Sequence, residues 1–478
     1  MMERKGMTFR PISAEAMRKI SVIVGETHLR TDESTLRAHG HDETEDLLFL
    51  PEAVVFPGDT AEISALMRLC HEEGIPVTVR GGGSGLAGGA LPVCGGLVLS
   101  MKRFDRILQV DKRNFQVTVE PGVVTEVLQN TLKAEGLFYP PDPSSRGWSF
   151  IGGNVSTNAG GPRAVKYGVV KDHVLNLEVV LPNGELIWTG ANTLKNSTGY
   201  NLTQLFVGSE GTLGILTKIV LKLQPYPTHN LLLLAPFRSA DNAIAAVAAI
   251  FQAGVTPSCL EFMERSAIDR AIQYVGESPI PIPEDVQAHL LIEVDGQHLD
   301  ALYADCASIN AVLEQFDCGE TFFADDEATK NLLWKLRRNV GPAVKTNSIY
   351  KEEDTVVPRA ELPALLRHVK AVGARYGFES VCYGHCGDGN LHVNILKGDL
   401  SDEAWQVEVP KGIREIFQCV KSLGGTLSGE HGVGYVQQPY LDIVFSETER
   451  RLRREIKGVF DPKGILNPGK GGAGSFGA

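Results

Sequence analysis

The stretch YGHCGDGNLHVNI, residues 383–395, sets His385 and His392 on either side of a Gly387-Asp388-Gly389-Asn390 turn. Its glycines could cradle a phosphate, and Asp388-Gly389-Asn390 has the look of a calcium loop. The calcium reading fails because imidazole is a poor ligand for a hard, oxygen-seeking ion. A transition metal suits these residues better. In the strand LHVNI, Leu391, Val393 and Ile395 point to one face, and His392 and Asn394 to the other. The imidazole can therefore face a site while its apolar neighbours pack. A carboxylate is still needed, and Glu430, in the glycine-bounded run Ser428-Gly429-Glu430-His431-Gly432, is the candidate. Two histidines and one carboxylate with open positions are the pattern of a catalytic Zn²⁺, Mn²⁺ or Fe²⁺ centre. Cys382 and Cys386 could add sulfur, but their spacing gives no second pair.

Two glycine clusters point to a second kind of chemistry. Arg80 is followed by Gly81, Gly82, Gly83, Ser84, Gly85, Leu86, Ala87, Gly88 and Gly89. Residues without side chains let backbone N–H groups curl into an anion-binding nest close to a diphosphate. No Gly-Lys-Ser/Thr follows, and no amphipathic helix starts where a dinucleotide fingerprint would need one. A second glycine-rich loop, IGGNVSTNAGG (151–161), repeats the logic. Two such loops in one domain imply one large ligand touched by backbone from two sides.

These residues need elements to hold them. Asp59-Thr60-Ala61-Glu62 is a capping box that starts a helix ending at Gly74, with strands AVVFP before it and VTVR (77–80) after it. That strand–helix–strand unit delivers the first glycine loop. Strands are read in LVLSMKRF, ILQVD and FQVTVEPG, a helix in TEVLQNTLKAEG, and an extended segment in YPPDPSS. NLEVVLPNGELIWTG is a hairpin around Asn183-Gly184, and GILTKIVLKLQP closes the region near Pro227. Beyond it, LLLLAPF, a helix over 240–253, CLEFME and AHLLIEVDG read as β-α-β-β, an antiparallel sheet backed by helices. The expected division is a helical extension over 1–50, a ligand-binding domain over 51–227, an α+β domain over 228–410 and a helical segment over 411–478. The glycine-rich tail from about 470 is expected to be disordered.

At 478 residues the chain can build two or three domains, and its 43% apolar and 22% charged composition is that of an ordinary globular protein. A net charge of −12 speaks against nucleic acid as a partner. No run is long and apolar enough for a signal peptide or a membrane span. The eight cysteines lack zinc or iron–sulfur spacing and read as buried thiols in a reducing cytoplasm.

VRGGGSGLAGG, PPDPSS, GGNVSTNAGG and GSEGTLGILTKIVLKL occur in that order. Together they resemble the FAD-binding half of the vanillyl-alcohol-oxidase flavoproteins, whose FAD domain is of the p-cresol-methylhydroxylase (PCMH) type. The resemblance implies an α+β fold: a two-subdomain PCMH-type domain, an α+β cap domain with an antiparallel sheet, and a C-terminal helical segment. It implies that Arg80 to Gly89 grip the FAD diphosphate. By the same resemblance Pro141, Asp142, Ser144 and Ser145 line the flavin and its ribityl chain. So do Gly152, Gly153, Asn154, Ser156, Thr157, Asn158 and Gly161, then Gly208, Glu210, Gly211, Gly214 and Ile215, with Asn467 added near the end. The diphosphate loop holds no histidine, so FAD is expected to be non-covalent.

The stretch around His385 and the SGEHG run are similar to the D-2-hydroxy-acid dehydrogenase branch: glycolate oxidase flavin subunit, D-lactate dehydrogenase and D-2-hydroxyglutarate dehydrogenase. That likeness implies His385, His392 and Glu430 as metal ligands, Asn394 on metal-bound substrate and His431 as general base. Arg337 and Lys351 take the positions that bind substrate carboxylate, and Gly341 stands where the hydroxyglutarate enzymes carry a hydroxyl side chain. The implied reaction is oxidation of a D-2-hydroxy acid, D-lactate or glycolate, to the 2-oxo acid with FAD and a divalent Zn, Mn or Fe ion. The electrons then pass to an external acceptor: an iron–sulfur partner subunit, an electron-transfer flavoprotein, a quinone or a cytochrome. The expected location is cytoplasmic, with association with the inner face of a membrane and a homodimer left open. Two other readings are an oxidase of another alcohol or sugar lactone, and a metal-dependent hydrolase or nucleotide-binding protein without redox chemistry.

Overall fold

The computed structural model describes residues 9–44, 47–276 and 280–472. The first eight residues and the tail beyond 472, where disorder was expected, lie outside them. The chain forms two units: one from residues 1–159, 169–225 and 430–478, the other from 160–168 and 226–429.

In the first unit, β1 (Leu29–Arg30), β2 (Ala53–Val55), β3 (Val77–Arg80) and β4 (Leu97–Ser100) form a sheet in the order β1-β2-β4-β3. The last three strands run parallel. The helix Thr60–Glu73 links β2 to β3. Half of the capping box the sequence announces is present: Asp59 accepts the Glu62 N–H at 2.9 Å, while Glu62 accepts the N–H of Gly58, at 2.6 Å, in place of that of Asp59. Ile63, Leu66, Met67 and Cys70 bury its inner face, and Gly74 closes it in the left-handed region. The helix Ala14–Val24 adds Ala16, Ile20 and Val24 to the same core, so these N-terminal residues are built into the domain.

The second sheet of this unit contains β5 (Ile107–Asp111) and β6 (Gln116–Val119). After the short β7 (Leu137–Phe138) come β8 (Val174–Val180), β9 (Leu186–Trp188) and β10 (Ile215–Lys222), then β11 (Gln224–Pro225), which pairs with β7. Its order is β5-β6-β10-β8-β9, antiparallel throughout. One expectation is corrected here. The run from 151 is a helix, Ile151–Thr157, and not a loop. Ile151 and Val155 bury on one face, while a side chain at Gly152 would collide with Pro121. Glycine there serves close packing, at some cost in helix propensity.

The second unit is built on one antiparallel sheet of seven strands. They are β12 (His229–Phe237), β13 (Cys259–Glu264), β14 (Ala288–Gly296), β15 (Phe322–Ala324), β16 (Tyr350–Val356), β17 (Glu379–Gly384) and β18 (Asn390–Leu396). Their order is β15-β12-β14-β13-β17-β18-β16. The antiparallel sheet and the helix Ala240–Gln252 are as expected, but a further helix, Arg265–Val275, separates β13 from β14. Residues 160–168 are tied to this sheet, with Lys166 Nζ and Tyr167 Oη donating to Asp295 Oδ1 at 2.6 and 2.8 Å.

Candidate active site

The register of β16, β17 and β18 decides which side chains meet. Directly opposed residues of antiparallel strands share a face. His392 opposes Tyr383 and Asp354, and Asn394 opposes Val381 and Glu352. Between β17 and β18 the chain turns at Gly389, whose φ of +87° and close approach to the Val357 carbonyl exclude a side chain. The Asn390 N–H donates back to His385 O at 3.1 Å. As a result the His385 and His392 rings lie edge to face with centroids 5.2 Å apart.

Each imidazole has a carboxylate behind it. Glu261, on β13 and fully buried, places Oε1 2.8 Å from His385 Nδ1 and Oε2 2.6 Å from Arg337 Nη2. Burial alone would raise the Glu261 pKa, but the charges of His385 and Arg337 outweigh it and hold it below the usual carboxyl value. Asp354 Oδ1 stands 3.6 Å from His392 Nδ1. It also accepts from Asn390 Nδ2 and Ser428 Oγ, both at 2.7 Å, and its carbonyl accepts the Gly429 N–H at 3.1 Å. The Ser428-Gly429 strap is thus fastened to β16 beside His392.

Arg337 is buried, its guanidinium 5.0 Å above the Tyr383 ring, and its Nε makes no hydrogen bond among the described residues. Asn394 is fully buried, with its amide beside the Tyr383 hydroxyl. Lys351 is placed differently. It opposes Ile395, so it points to the face away from His392 and Asn394, and its ammonium lies 5.3 Å from the Trp405 ring. The residue on the site face is Glu352. Neither Glu352 nor Glu261 was singled out by sequence reasoning. The charged residue inside the otherwise apolar CLEFM was the one available signal for Glu261.

In the first unit, β3 ends at Arg80 and opens directly into the glycine loop. Arg80 is buried and donates to His41 O at 2.7 Å. The backbone N–H groups from Gly82 to Ala87 donate to no acceptor among the described residues. A Cβ built on Gly81 would lie 3.8 Å from the Gly153 backbone, so the two glycine segments abut. Several polar residues expected to touch cofactor are engaged with protein. Asp142 pairs with Arg146 at 2.8 Å, Asn154 donates to Thr125 Oγ1 at 2.6 Å, and Asn158 accepts the Lys171 N–H at 2.8 Å. Glu210 accepts the N–H groups of Val433 at 3.1 Å and Gly434 at 2.6 Å, and Asn467 bonds both Glu210 O and the Val79 N–H. These contacts fix the loop that carries His431, whose Nε2 is 3.8 Å from Glu430 Oε1. Gly161 falls in the segment that joins the second unit.

Residues 51–190 match the profile of an FAD binding domain, and residues 226–471 match the C-terminal domain of FAD linked oxidases. The chain belongs to the FAD-linked oxidases. Over 435 residues it is 39% identical to glycolate oxidase subunit GlcD of Bacillus subtilis strain 168, covering 90% of this chain and 91% of that protein. It is 36% identical over 424 residues to D-lactate dehydrogenase of Anaerostipes hadrus, with 88% and 89% covered. Substrate-bound p-cresol methylhydroxylase has a TM-score of 0.80 at 17% identity, with 98% of each chain covered, a likeness of fold alone. This FAD-linked oxidase is thus an oxidoreductase of the glycolate, D-lactate and D-2-hydroxyglutarate group, with the α+β, PCMH-type fold expected.

In this FAD-linked oxidase the unpartnered N–H groups of the glycine loop suit a diphosphate. The histidines suit a divalent ion. With His385 Nδ1 2.8 Å from Glu261, its Nε2 is the nitrogen left to ligate, the usual outer-shell pattern of histidine metal ligands, whereas His392 Nδ1 stands 3.6 Å from Asp354, beyond hydrogen-bond reach. The Cys382 and Cys386 thiols are buried, which raises both pKa values, Cys382 to about 12, so neither offers a thiolate.

Proposed function

We propose that the protein is a divalent-metal-dependent dehydrogenase that oxidises D-lactate, glycolate or a similar D-2-hydroxy acid to the 2-oxo acid. The family match supports the redox half of this reading. The observation that carries the metal half is the pair of imidazoles, each with Nδ1 facing a carboxylate, at 2.8 Å for His385 and 3.6 Å for His392. When bound, FAD supplies the hydride acceptor and a Zn, Mn or Fe ion makes the substrate hydroxyl more acidic.

His385, His392 and Glu430 would hold the ion. Arg337, oriented by Glu261, offers its remaining N–H groups to the substrate carboxylate. Asn394 gives the substrate both a donor and an acceptor. His431 takes the hydroxyl proton as general base. No iron–sulfur or haem spacing is present in the sequence, so reoxidation calls for an external iron–sulfur subunit, electron-transfer flavoprotein, quinone or cytochrome. We place the reaction in the cytoplasm, a reading supported by eight cysteines that form no disulfide.

The test is anaerobic mixing of the FAD-loaded protein with a panel of D- and L-2-hydroxy acids. Loss of the oxidised flavin absorbance with a D-acid or glycolate, abolished by chelation and restored by metal, is the expected result. Full-rate reduction of metal-free protein would overturn the metal role.

A further inference from the structure

The strand register puts a further charged group on the site face. Glu352 opposes Asn394, so it stands beside that amide and on the same face as His392. A carboxylate oxygen of Glu352 lies within 4.8 Å of a His392 ring nitrogen. The side chain is 8% exposed, and Oε2 is buried without a hydrogen-bond partner among the described residues. The Lys345 ammonium is 3.9 Å from that oxygen, beyond hydrogen-bond reach. A buried acceptor left unsatisfied is costly and calls for an explanation. Gly341 packs against the same group of side chains, since a Cβ there would come within 3.3 Å of Tyr383 Oη.

We infer that Glu352 determines which 2-hydroxy acid is taken, an inference that rests on the function proposed above. Its oxygen accepts a hydrogen bond from a hydroxyl at the far end of the substrate and repels a second carboxylate there. A second carboxylate there meets the charge of Glu352, which the Lys345 ammonium at 3.9 Å offsets only in part, whereas an O–H completes the vacant acceptor. The substrate class is therefore short 2-hydroxy monocarboxylates with a C3 hydroxyl, of which D-glycerate is the simplest. D-lactate, which lacks the donor, follows it, and D-malate and D-2-hydroxyglutarate are excluded. Lys351 faces the other way, and the Lys345 ammonium already stands beside Glu352.

The experiment compares native protein with Glu352→Gln and Glu352→Lys, each checked for FAD content and melting temperature. Anaerobic flavin reduction is measured with D-glycerate, D-lactate, D-malate and D-2-hydroxyglutarate. In parallel, pyruvate and 2-oxoglutarate are titrated and followed by the flavin spectrum, which requires no turnover. The native protein is expected to favour D-glycerate over D-malate, and pyruvate over 2-oxoglutarate, by about 100-fold. Glu352→Gln should narrow both ratios about tenfold, and Glu352→Lys should invert them. If the lysine variant does not fold, the glutamine variant decides alone. Ratios within about twofold of native, including binding of neither oxo acid, overturn the role of Glu352. If no hydroxy acid reduces the native flavin but the binding preference still shifts, the oxidation reading fails and the role of Glu352 stands.

Discussion

Glu261 Oε1 stands 2.8 Å from His385 Nδ1 while its Oε2 stands 2.6 Å from Arg337 Nη2, so one buried carboxylate orients a candidate metal ligand and a candidate substrate cation together. Glu261→Gln keeps the shape and removes the charge. Metal affinity, measured by calorimetric titration into chelated protein, should fall about 10- to 100-fold while FAD content is unchanged. The variant also leaves the Arg337 guanidinium buried without its counter-ion, and urea unfolding should show a loss of about 3–5 kcal/mol. Native-like metal affinity would mean that His385 is not a ligand.

His431 is assigned the hydroxyl proton, and its loop is fixed by the Glu210 bonds to Val433 and Gly434 rather than by the imidazole itself. His431→Ala should therefore leave FAD binding and melting temperature near native. Flavin reduction by the best substrate should slow by about 10²- to 10⁴-fold, with a small change in the concentration giving half-maximal rate. A rate within tenfold of native would assign the proton to another group.

Glu210 gives a pH signature. Withdrawal from water raises its pKa above 4.5, and the Gly434 and Val433 N–H groups with the Lys470 charge only partly reverse the shift. In the window between the ordinary value and the raised one, the folded protein holds a proton that the unfolded chain has released. Stability therefore increases as pH falls through that window, and this contribution is complete below the unfolded value. Glu210→Gln has no such proton to release. Melting temperatures followed from about pH 7 to about pH 4 should show native protein gaining on the variant as pH falls. Parallel curves would mean that the carboxyl titrates as an exposed one does.

Much of this was legible because local rules governed it. The Asp59–Glu62 cap, the Asn183-Gly184 hairpin and the glycine turn that returns His385 toward His392 each follow from residues a few positions apart. Glu261 was not legible, since it meets His385 from 124 residues away and strand pairing over that span has no local signature. The helix at Ile151–Thr157 is masked in the sequence because its glycine pair signals a loop, while the reason for Gly152 is Pro121, thirty-odd residues earlier. Lys351 and Glu352 show the sharpest limit. A motif can place a charge within one residue, but in a strand one residue is the difference between the two faces.

That limit is itself testable. If Lys351 bound the substrate carboxylate, Lys351→Met would weaken substrate binding by two orders of magnitude or so, as loss of a charged partner does. The register predicts otherwise. Opposite Ile395 and over Trp405, the lysine stem packs on the far side of the sheet, and methionine keeps most of that apolar contact. The half-saturating substrate concentration should stay within about twofold of native, with a stability change of about 1 kcal/mol or less. Arg337→Met, on the site face, should raise it by about 100-fold under the same conditions. Equal effects of the two substitutions would mean that β16 lies one residue out of the register described, and would return the carboxylate-binding role to Lys351.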